Sequence, residues 1–221
     1  MAGIMQLNEF TQIIKKCDIR NKHIIRKALE DLSSNESLLS NHLKKIIRKN
    51  GFSFDDSMHN GYTFDLFRCK HFTVRLIFWA PVSSRDEKEN FIYGLHHSHD
   101  FELHAIGYSG DGYRTIKTEI LDLSPINNGE APVIGRKEEI KLTKGTYFFM
   151  RPFLDIHQQL PPKKLSSSLS LLIHTKKGGN ENQRAWCFDS DYAPTYSAVG
   201  DQEASIFNEI ASLIDGCDNR S

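Results

Sequence analysis

The spacing of hydrophobic residues divides the chain into a helical beginning, a β-rich middle and a helical end. In the first fifty residues, apolar positions recur every three or four residues, which is typical of amphipathic helices. Ser34 and Asn35 precede the third of these repeats and Asn50-Gly51 follows it, so we expect them to cap that helix. The apolar residues of the three repeats are Phe10, Ile13 and Ile14; Ile24, Ile25, Ala28, Leu29 and Leu32; and Leu38, Leu39, Leu43, Ile46 and Ile47.

After Gly51 the pattern changes to short β-rich runs separated by turn residues, as in a sandwich or barrel. A last apolar stripe, from Ile206 to Ile214, predicts a C-terminal helix. We therefore predict a mainly β protein, with residues 1–51 as an N-terminal helical segment, 52–200 as a barrel and 201–221 as a C-terminal helix and tail. The predicted strands lie near Tyr62–Arg68, Thr73–Ala80, Phe91–Gly94, His96–Ile106, Arg114–Leu121, Glu139–Leu142, Thr146–Arg151, His157–Leu160, Ser168–Thr175 and Ala185–Phe188.

Three histidines within the β-rich region form a candidate metal site. His97 and His99 are two residues apart, so on one strand they point to the same face. His157 would add a third imidazole from a neighbouring strand, and three neutral nitrogen ligands leave open positions of the kind that catalytic sites need. By the same alternation, His96 and His104 are expected to face away from the metal. Strand histidines can also be ordinary surface residues, but the third histidine favours a metal enzyme.

Composition narrows the classes of partner. The 221 residues are 39% hydrophobic and 25% charged, which suits one globular domain. Lysine and arginine number 28, and so do aspartate and glutamate, so the charge balance does not indicate a nucleic-acid partner. The four cysteines form no CxxC pair, and no stretch resembles a signal peptide or a membrane span. We therefore expect a cytoplasmic protein with no membrane partner.

These residues together resemble the motifs of the cupin superfamily, of the form G…HxH…E…G followed by G…P…H. The resemblance implies a cupin-type double-stranded β-helix, also called a jelly-roll barrel. Glu102 is one residue out of phase with the histidines, which leaves three interpretations: a ligand reached through a bulge, a hydrogen-bond acceptor for a ligand imidazole, or an outward carboxylate. The matching residues are Gly94, His97, His99, Glu102 and Gly110, then Gly145, Pro152 and His157.

Residues 60–190 further resemble the cysteine dioxygenase-like thiol dioxygenases, which bind iron through three histidines without the glutamate. This resemblance implies Fe(II), dioxygen and a small amino acid or other carboxylate-bearing metabolite as substrate. Imidazole nitrogen also accepts nickel, manganese and zinc. The matching positions are Tyr62-Thr63, Leu66, Phe72–Trp79, the HxH pair, Ile156-His157 and Ser170-Leu171, together with the helical N-terminal segment.

The chain departs from these enzymes at two positions that bear on the substrate. Phe64 stands where the cysteine enzymes place an arginine for the substrate carboxylate, so we expect a substrate other than free cysteine. His174 stands where they place an active-site tyrosine, and it is a candidate catalytic acid or base.

Other residues are candidates for contacting the substrate. Arg151 is six residues before His157. If one strand runs through Pro152, both side chains lie on the same face and Arg151 can clamp a carboxylate. Otherwise Arg151 is an exposed arginine at a strand end. Gln159 and Tyr147 are candidates for hydrogen bonds to polar substrate atoms.

Three functions are compatible with a metal held by His97, His99 and His157. An oxygenase acting on a small-molecule substrate is the first, and a non-catalytic cupin that binds a small ligand is the second. A metal-dependent isomerase or lyase is the third. We expect a monomer or a homodimer in each case.

Overall fold

A computed structural model describes residues 4–50, 58–60, 62–82, 93–122, 130–174 and 185–198. The three predicted N-terminal helices are confirmed as α1 (Leu7–Lys16), α2 (Lys22–Ser33) and α3 (Leu38–Asn50). The Asn21 side chain accepts a hydrogen bond from the Ile24 N–H and so caps the first turn of α2. The predicted C-terminal helix and the Gly51 terminator lie outside the described residues. Within them, no helix has the length and apolar character needed to cross a membrane.

Twelve β-strands make up the described part of the chain that follows the helices, and they pair into two six-stranded antiparallel sheets. The first sheet has the order β1-β2-β3-β10-β5-β8 and the second the order β12-β11-β4-β9-β6-β7. The strands are β1 (Met58–Asn60), β2 (Thr63–Arg68), β3 (Phe72–Trp79), β4 (His96–His97), β5 (Phe101–Ser109), β6 (Arg114–Ile120), β7 (Ile134–Lys141), β8 (Tyr147–Met150), β9 (Asp155–Leu160), β10 (Ser166–His174), β11 (Ala185–Phe188) and β12 (Pro194–Ala198).

The chain passes repeatedly from one sheet to the other. Between β3 and β10, each strand lies in the opposite sheet from the strand before it, except that β7 follows β6 in the same sheet. This winding is the cupin-type jelly-roll barrel that we predict, and it places the inner faces of both sheets against each other. Residues far apart in sequence therefore meet between the sheets.

Both faces of the first sheet are buried. On its outer face, Phe10 and Leu29 of the helices pack in one cluster with Leu76 and Leu171. On its inner face, Trp79 stacks on Tyr113 with ring centroids 4.0 Å apart, and its indole N–H donates to Ser168 Oγ. The helices thus cover the barrel on one side and leave its interior free to form a site.

The predicted strand His96–Ile106 is divided in the structure. His97 pairs with β9 and β11 of the second sheet, whereas Phe101 pairs with β10 of the first. The chain changes sheets through the polar residues Ser98, His99 and Asp100, and β4 and β11 are joined further because Ser98 N–H donates to the Trp186 carbonyl. His99 therefore lies in the crossing and not on a continuous strand.

Candidate metal centre

The three predicted histidines come together between the sheets, and we call them the histidine cluster (His97, His99 and His157). His97 lies directly opposite His157 in the β4–β9 pair. The Nε2 atom of His157 is 3.0 Å from Nε2 of His97 and 3.0 Å from Nε2 of His99. One ring nitrogen from each histidine lies within 4.8 Å of the other two, so a small shift of the rings brings all three within bonding distance of a single ion.

Hydrogen bonds at the far side of the rings orient two of these imidazoles. His97 Nδ1 donates to the carbonyl oxygen of Leu95 at 3.1 Å, so Nδ1 carries a proton and Nε2 faces His157. His157 Nδ1 lies 3.4 Å from Thr115 Oγ1. Such contacts fix the ring orientation in metal sites and direct the other nitrogen towards the ion.

Burial keeps the cluster in the form that binds metal. It lowers the pKa of His157 well below its usual value, and the neighbouring His97 and His99 lower it further. Burial also lowers the pKa of His99 well below its usual value, with added contributions from His97 and the positively charged Arg75. The imidazoles of His99 and His157 are therefore neutral, as metal coordination requires, and the donor set of the cluster fits a divalent transition metal.

Aromatic rings form the walls beside the histidine cluster. Phe101 stacks on His99 with centroids 4.5 Å apart, and Phe148 lies parallel to His157 with centroids 5.9 Å apart. Phe148 is fully buried. These apolar walls lower the local dielectric and strengthen electrostatic interactions within the site.

Gln159 is the predicted substrate-contacting residue that the structure does bring to the cluster. Its Nε2 atom lies 3.0 Å from His157 Nε2. It is two residues after His157 on β9, which places both side chains on the inner face.

Arg151 does not lie in the position that its sequence spacing suggests. β8 ends at Met150 in the first sheet and β9 begins at Asp155 in the second, so strand parity does not carry across Pro152. Its Nη2 atom donates to Asp155 Oδ1 at 2.7 Å and to Glu119 Oε1 at 2.7 Å. The hydrogen bond with Asp155 is the main cause that raises the pKa of Arg151. Arg151, which we expect from its spacing to bind a substrate carboxylate, instead forms an ion pair with carboxylates of the protein itself.

Glu102 and Tyr147 lie on the outer face of the first sheet, away from the histidine cluster. Glu102 accepts hydrogen bonds from His104 Nε2 at 2.7 Å and from Lys22 Nζ at 2.5 Å, and Tyr147 Oη lies 2.6 Å from His104 Nδ1. Glu102, which is one residue out of phase with the histidines, therefore points outward, and its carboxylate lies beneath α2. This placement also argues against the substrate contact expected of Tyr147.

His174 lies at the exposed end of β10, outside the histidine cluster. Its Nδ1 donates to the Lys70 carbonyl oxygen at 3.1 Å, and its Nε2 is 3.0 Å from Thr73 Oγ1. Both ring nitrogens are therefore engaged at the end of the barrel. This arrangement does not support its expected role as an acid or base beside the metal.

Arg75 is a cation of the barrel interior. It alternates along β3 with Val74 and Leu76, which face the helices, so its side chain faces inward. Its Nε donates to Asp65 Oδ1 at 2.9 Å. Phe64, the position of the family arginine, instead packs with the outer cluster.

Lys117 and Cys187 are further inward-facing neighbours of the cluster, directly opposite His157 and His97 in adjacent strands. Lys117 Nζ donates to the Phe149 carbonyl oxygen at 3.2 Å. Only the pairing of strands distant in sequence reveals these two positions.

The chain matches no protein-family model and no curated protein. Among solved structures, a hydroquinone 1,2-dioxygenase in complex with Cd²⁺ and 4-hydroxybenzonitrile is 14% identical, over 59% of this chain and 71% of that one, with a TM-score of 0.35. The DMSP lyase DddQ from Ruegeria pomeroyi is 11% identical, over 59% and 55% of the two chains, with a TM-score of 0.32. This chain thus spans about half of the length of the lyase.

A cupin domain from Bordetella pertussis is 10% identical, over 51% of this chain and 92% of that one, with a TM-score of 0.32. Similarities at these low TM-scores do not indicate a function for the site.

Proposed function

We propose that this protein is a non-heme iron-dependent oxygenase of the cupin type that acts on a small amino acid or other carboxylate-bearing metabolite. The observation that carries the proposal is the convergence of the three Nε2 atoms of the histidine cluster inside a jelly-roll barrel. Three neutral imidazoles leave open positions for substrate and dioxygen, which a closed structural site does not. Fe(II) held by His97, His99 and His157 would supply electrons to dioxygen next to the bound substrate.

The choice of a carboxylate-bearing substrate is supported by the charges around the cluster. Arg75 faces the barrel interior, and its positive charge is close enough to lower the pKa of His99. Only its Nε is bonded to Asp65, and within the described part of the chain the two terminal nitrogens have no hydrogen-bond partner. A planar guanidinium with free terminal nitrogens can grip a carboxylate. We infer that Arg75, and not Arg151, binds the substrate carboxylate.

Phe101 and Phe148 support the oxygenase proposal in a second way. They cover the rings of His99 and His157 with apolar surface, which limits the access of water to the reacting centre. A dry site protects reactive species from side reactions. We propose a cytoplasmic location because the four cysteines of the sequence lie far apart and form no CxxC pair, which suits a reducing compartment.

The test of this function begins with the metal content of protein purified without chelator. Oxygen uptake is then measured with the Fe(II)-loaded protein across a panel of small amino acids, thiols and hydroxy or keto acids. We expect uptake with at least one carboxylate-bearing compound, at a rate proportional to bound iron. His157→Ala protein, treated in the same way, is expected to consume no oxygen above background.

Two results would contradict the proposal and identify the other functions. Conversion of a substrate in the absence of oxygen, supported by zinc, nickel or manganese, indicates an isomerase or lyase. Saturable binding of a panel compound without any turnover indicates a non-catalytic binding protein.

A further inference from the structure

Gln159 has an unusual environment for an amide side chain. It is only 5% exposed, and its carbonyl oxygen Oε1 is buried with no hydrogen-bond partner among the described residues. Its other terminal atom, Nε2, lies 3.0 Å from His157 Nε2. Buried amide oxygens are normally hydrogen-bonded, so an unpaired one beside three histidines indicates a missing partner.

The amide group can supply a metal ligand from this position. A half-turn about its last side-chain bond exchanges Oε1 and Nε2, which have nearly the same shape and size. Oε1 then takes the place 3.0 Å from His157 Nε2 that Nε2 holds. The exchange also removes the competition between an amide N–H and an ion for the same histidine lone pair. An amide carbonyl oxygen binds divalent metals, whereas an amide nitrogen does not.

The distances agree with a shared ion. His97 and His99 each place Nε2 at 3.0 Å from His157 Nε2, and the Gln159 amide has the same separation. Two ligand atoms that bind one ion at about 2.1 Å and at a right angle to each other are about 3.0 Å apart. The i, i+2 spacing of His157 and Gln159 on β9 repeats the spacing of His97 and His99. On β9, this spacing places the His157 and Gln159 side chains on the same face.

We propose that Gln159 is a fourth ligand of the metal, through Oε1, and completes a set of three histidines and one glutamine. This inference rests on the proposed function, because it requires that the histidine cluster binds a metal. All four ligands are neutral, so the ion keeps its full positive charge. That charge attracts an anionic substrate to the open positions beside Arg75.

Cobalt(II) is a suitable probe because its visible absorption reports coordination number and geometry. The variants are Gln159→Ala, which removes the ligand, and Gln159→Glu, which keeps the length and shape of the side chain but supplies a carboxylate. Gln158→Ala and Gln158→Glu are matched controls, because Gln158 is only partly buried, is adjacent to Gln159 on β9 and donates to the Gly94 carbonyl. Cobalt affinity is measured by competition with a chelator, and circular dichroism reports folding.

We expect Gln159→Ala to bind cobalt about tenfold or more weakly and to change its visible spectrum. Gln159→Glu should bind cobalt more tightly than wild type, and the Gln158 variants should match wild type. If Gln159→Ala fails to fold, Gln159→Glu still decides the question. Unchanged affinity and spectrum in the Gln159 variants that fold would overturn the inference and leave the three-histidine site intact. Failure of wild-type protein to bind cobalt would overturn the proposed function itself.

Discussion

His97 and His157 lie directly opposite each other on β4 and β9, with their Nε2 atoms 3.0 Å apart. Two buried nitrogen lone pairs at this distance repel each other unless a proton or a metal ion lies between them. The backbone pairing of the two strands therefore holds two ring nitrogens at a separation that a bound cation can bridge. This is the physical reason to expect tight metal binding here.

The first prediction concerns the histidine cluster. His97→Ala, His99→Ala or His157→Ala should each remove most of the bound metal, because each supplies one nitrogen ligand. Metal content is measured after dialysis, with circular dichroism as a check on folding. His96→Ala is the control, since His96 is next to His97 in sequence but its ring contacts Tyr192 on the outer face. Full metal content in all three variants, or loss in the control, would contradict the assignment.

The second prediction concerns Arg75. Arg75→Lys keeps the charge but not the planar fork, so it should raise KM for the carboxylate substrate by about tenfold with a smaller effect on kcat. Arg75→Met should be worse, and metal content should not change. The control is Arg68→Met, which removes another arginine bound to Asp65 but one that lies largely in solvent. An unchanged KM in Arg75→Met would show that another group binds the substrate.

The third prediction concerns the ion pair of Arg151. Arg151→Met leaves Asp155, which is 2% exposed, without its charged partner, so the free energy of unfolding should fall by about 2 kcal/mol. Activity per folded molecule should stay the same. Arg114→Met is the control, because its pair with Glu139 is about half exposed on both sides and should contribute less than about 1 kcal/mol. Loss of activity at unchanged stability would instead place Arg151 in the substrate site.

The fourth prediction concerns the pH dependence of stability. Burial raises the pKa of Glu102, but the hydrogen bonds from His104 and Lys22 outweigh it, and the pKa lies below its usual value. Because the folded-state pKa is below the unfolded one, the stabilisation is present above the unfolded value of about 4.3 and is lost as the pH falls through the folded value.

Urea unfolding of wild type and Glu102→Gln, measured from about pH 7 to about pH 3, should therefore show a difference that shrinks as the pH falls. Glu36→Gln, which breaks an exposed pair with Lys144, is the control and should change stability little at any pH. A difference that grows towards low pH would contradict the predicted contribution of Glu102.

Periodicity located the three N-terminal helices and most of the strands because these depend on local spacing, whereas His99 joins the histidine cluster from the crossing after β4. The i, i+2 rule holds for Gln159, which lies on the same strand as His157. It fails for Arg151, because the count crosses a turn in which Phe153 adopts a φ of 61° and the chain passes to the other sheet. Parity is informative only within one strand.

The faces of the first sheet were harder to predict. Along β5, six consecutive residues from Leu103 to Tyr108 are buried, because α1 and α2 cover the outer face while the barrel covers the inner one. A strand that is buried on both sides shows no alternation of polar and apolar residues. Alternation from His99 predicts that His104 points away from the metal, but the sequence does not reveal that α2 covers that face, nor that Arg75 faces the barrel.

The change of sheets after His97 also sets an order of events during folding. His97 and His157 are 60 positions apart, and they become neighbours only when β4 and β9 pair. Closing such a long loop is slow compared with local structure formation, and the unfolded chain has no preformed arrangement of these ligands. We therefore expect a metal ion to bind only after the barrel has closed, so that adding it to the unfolded chain should not speed refolding.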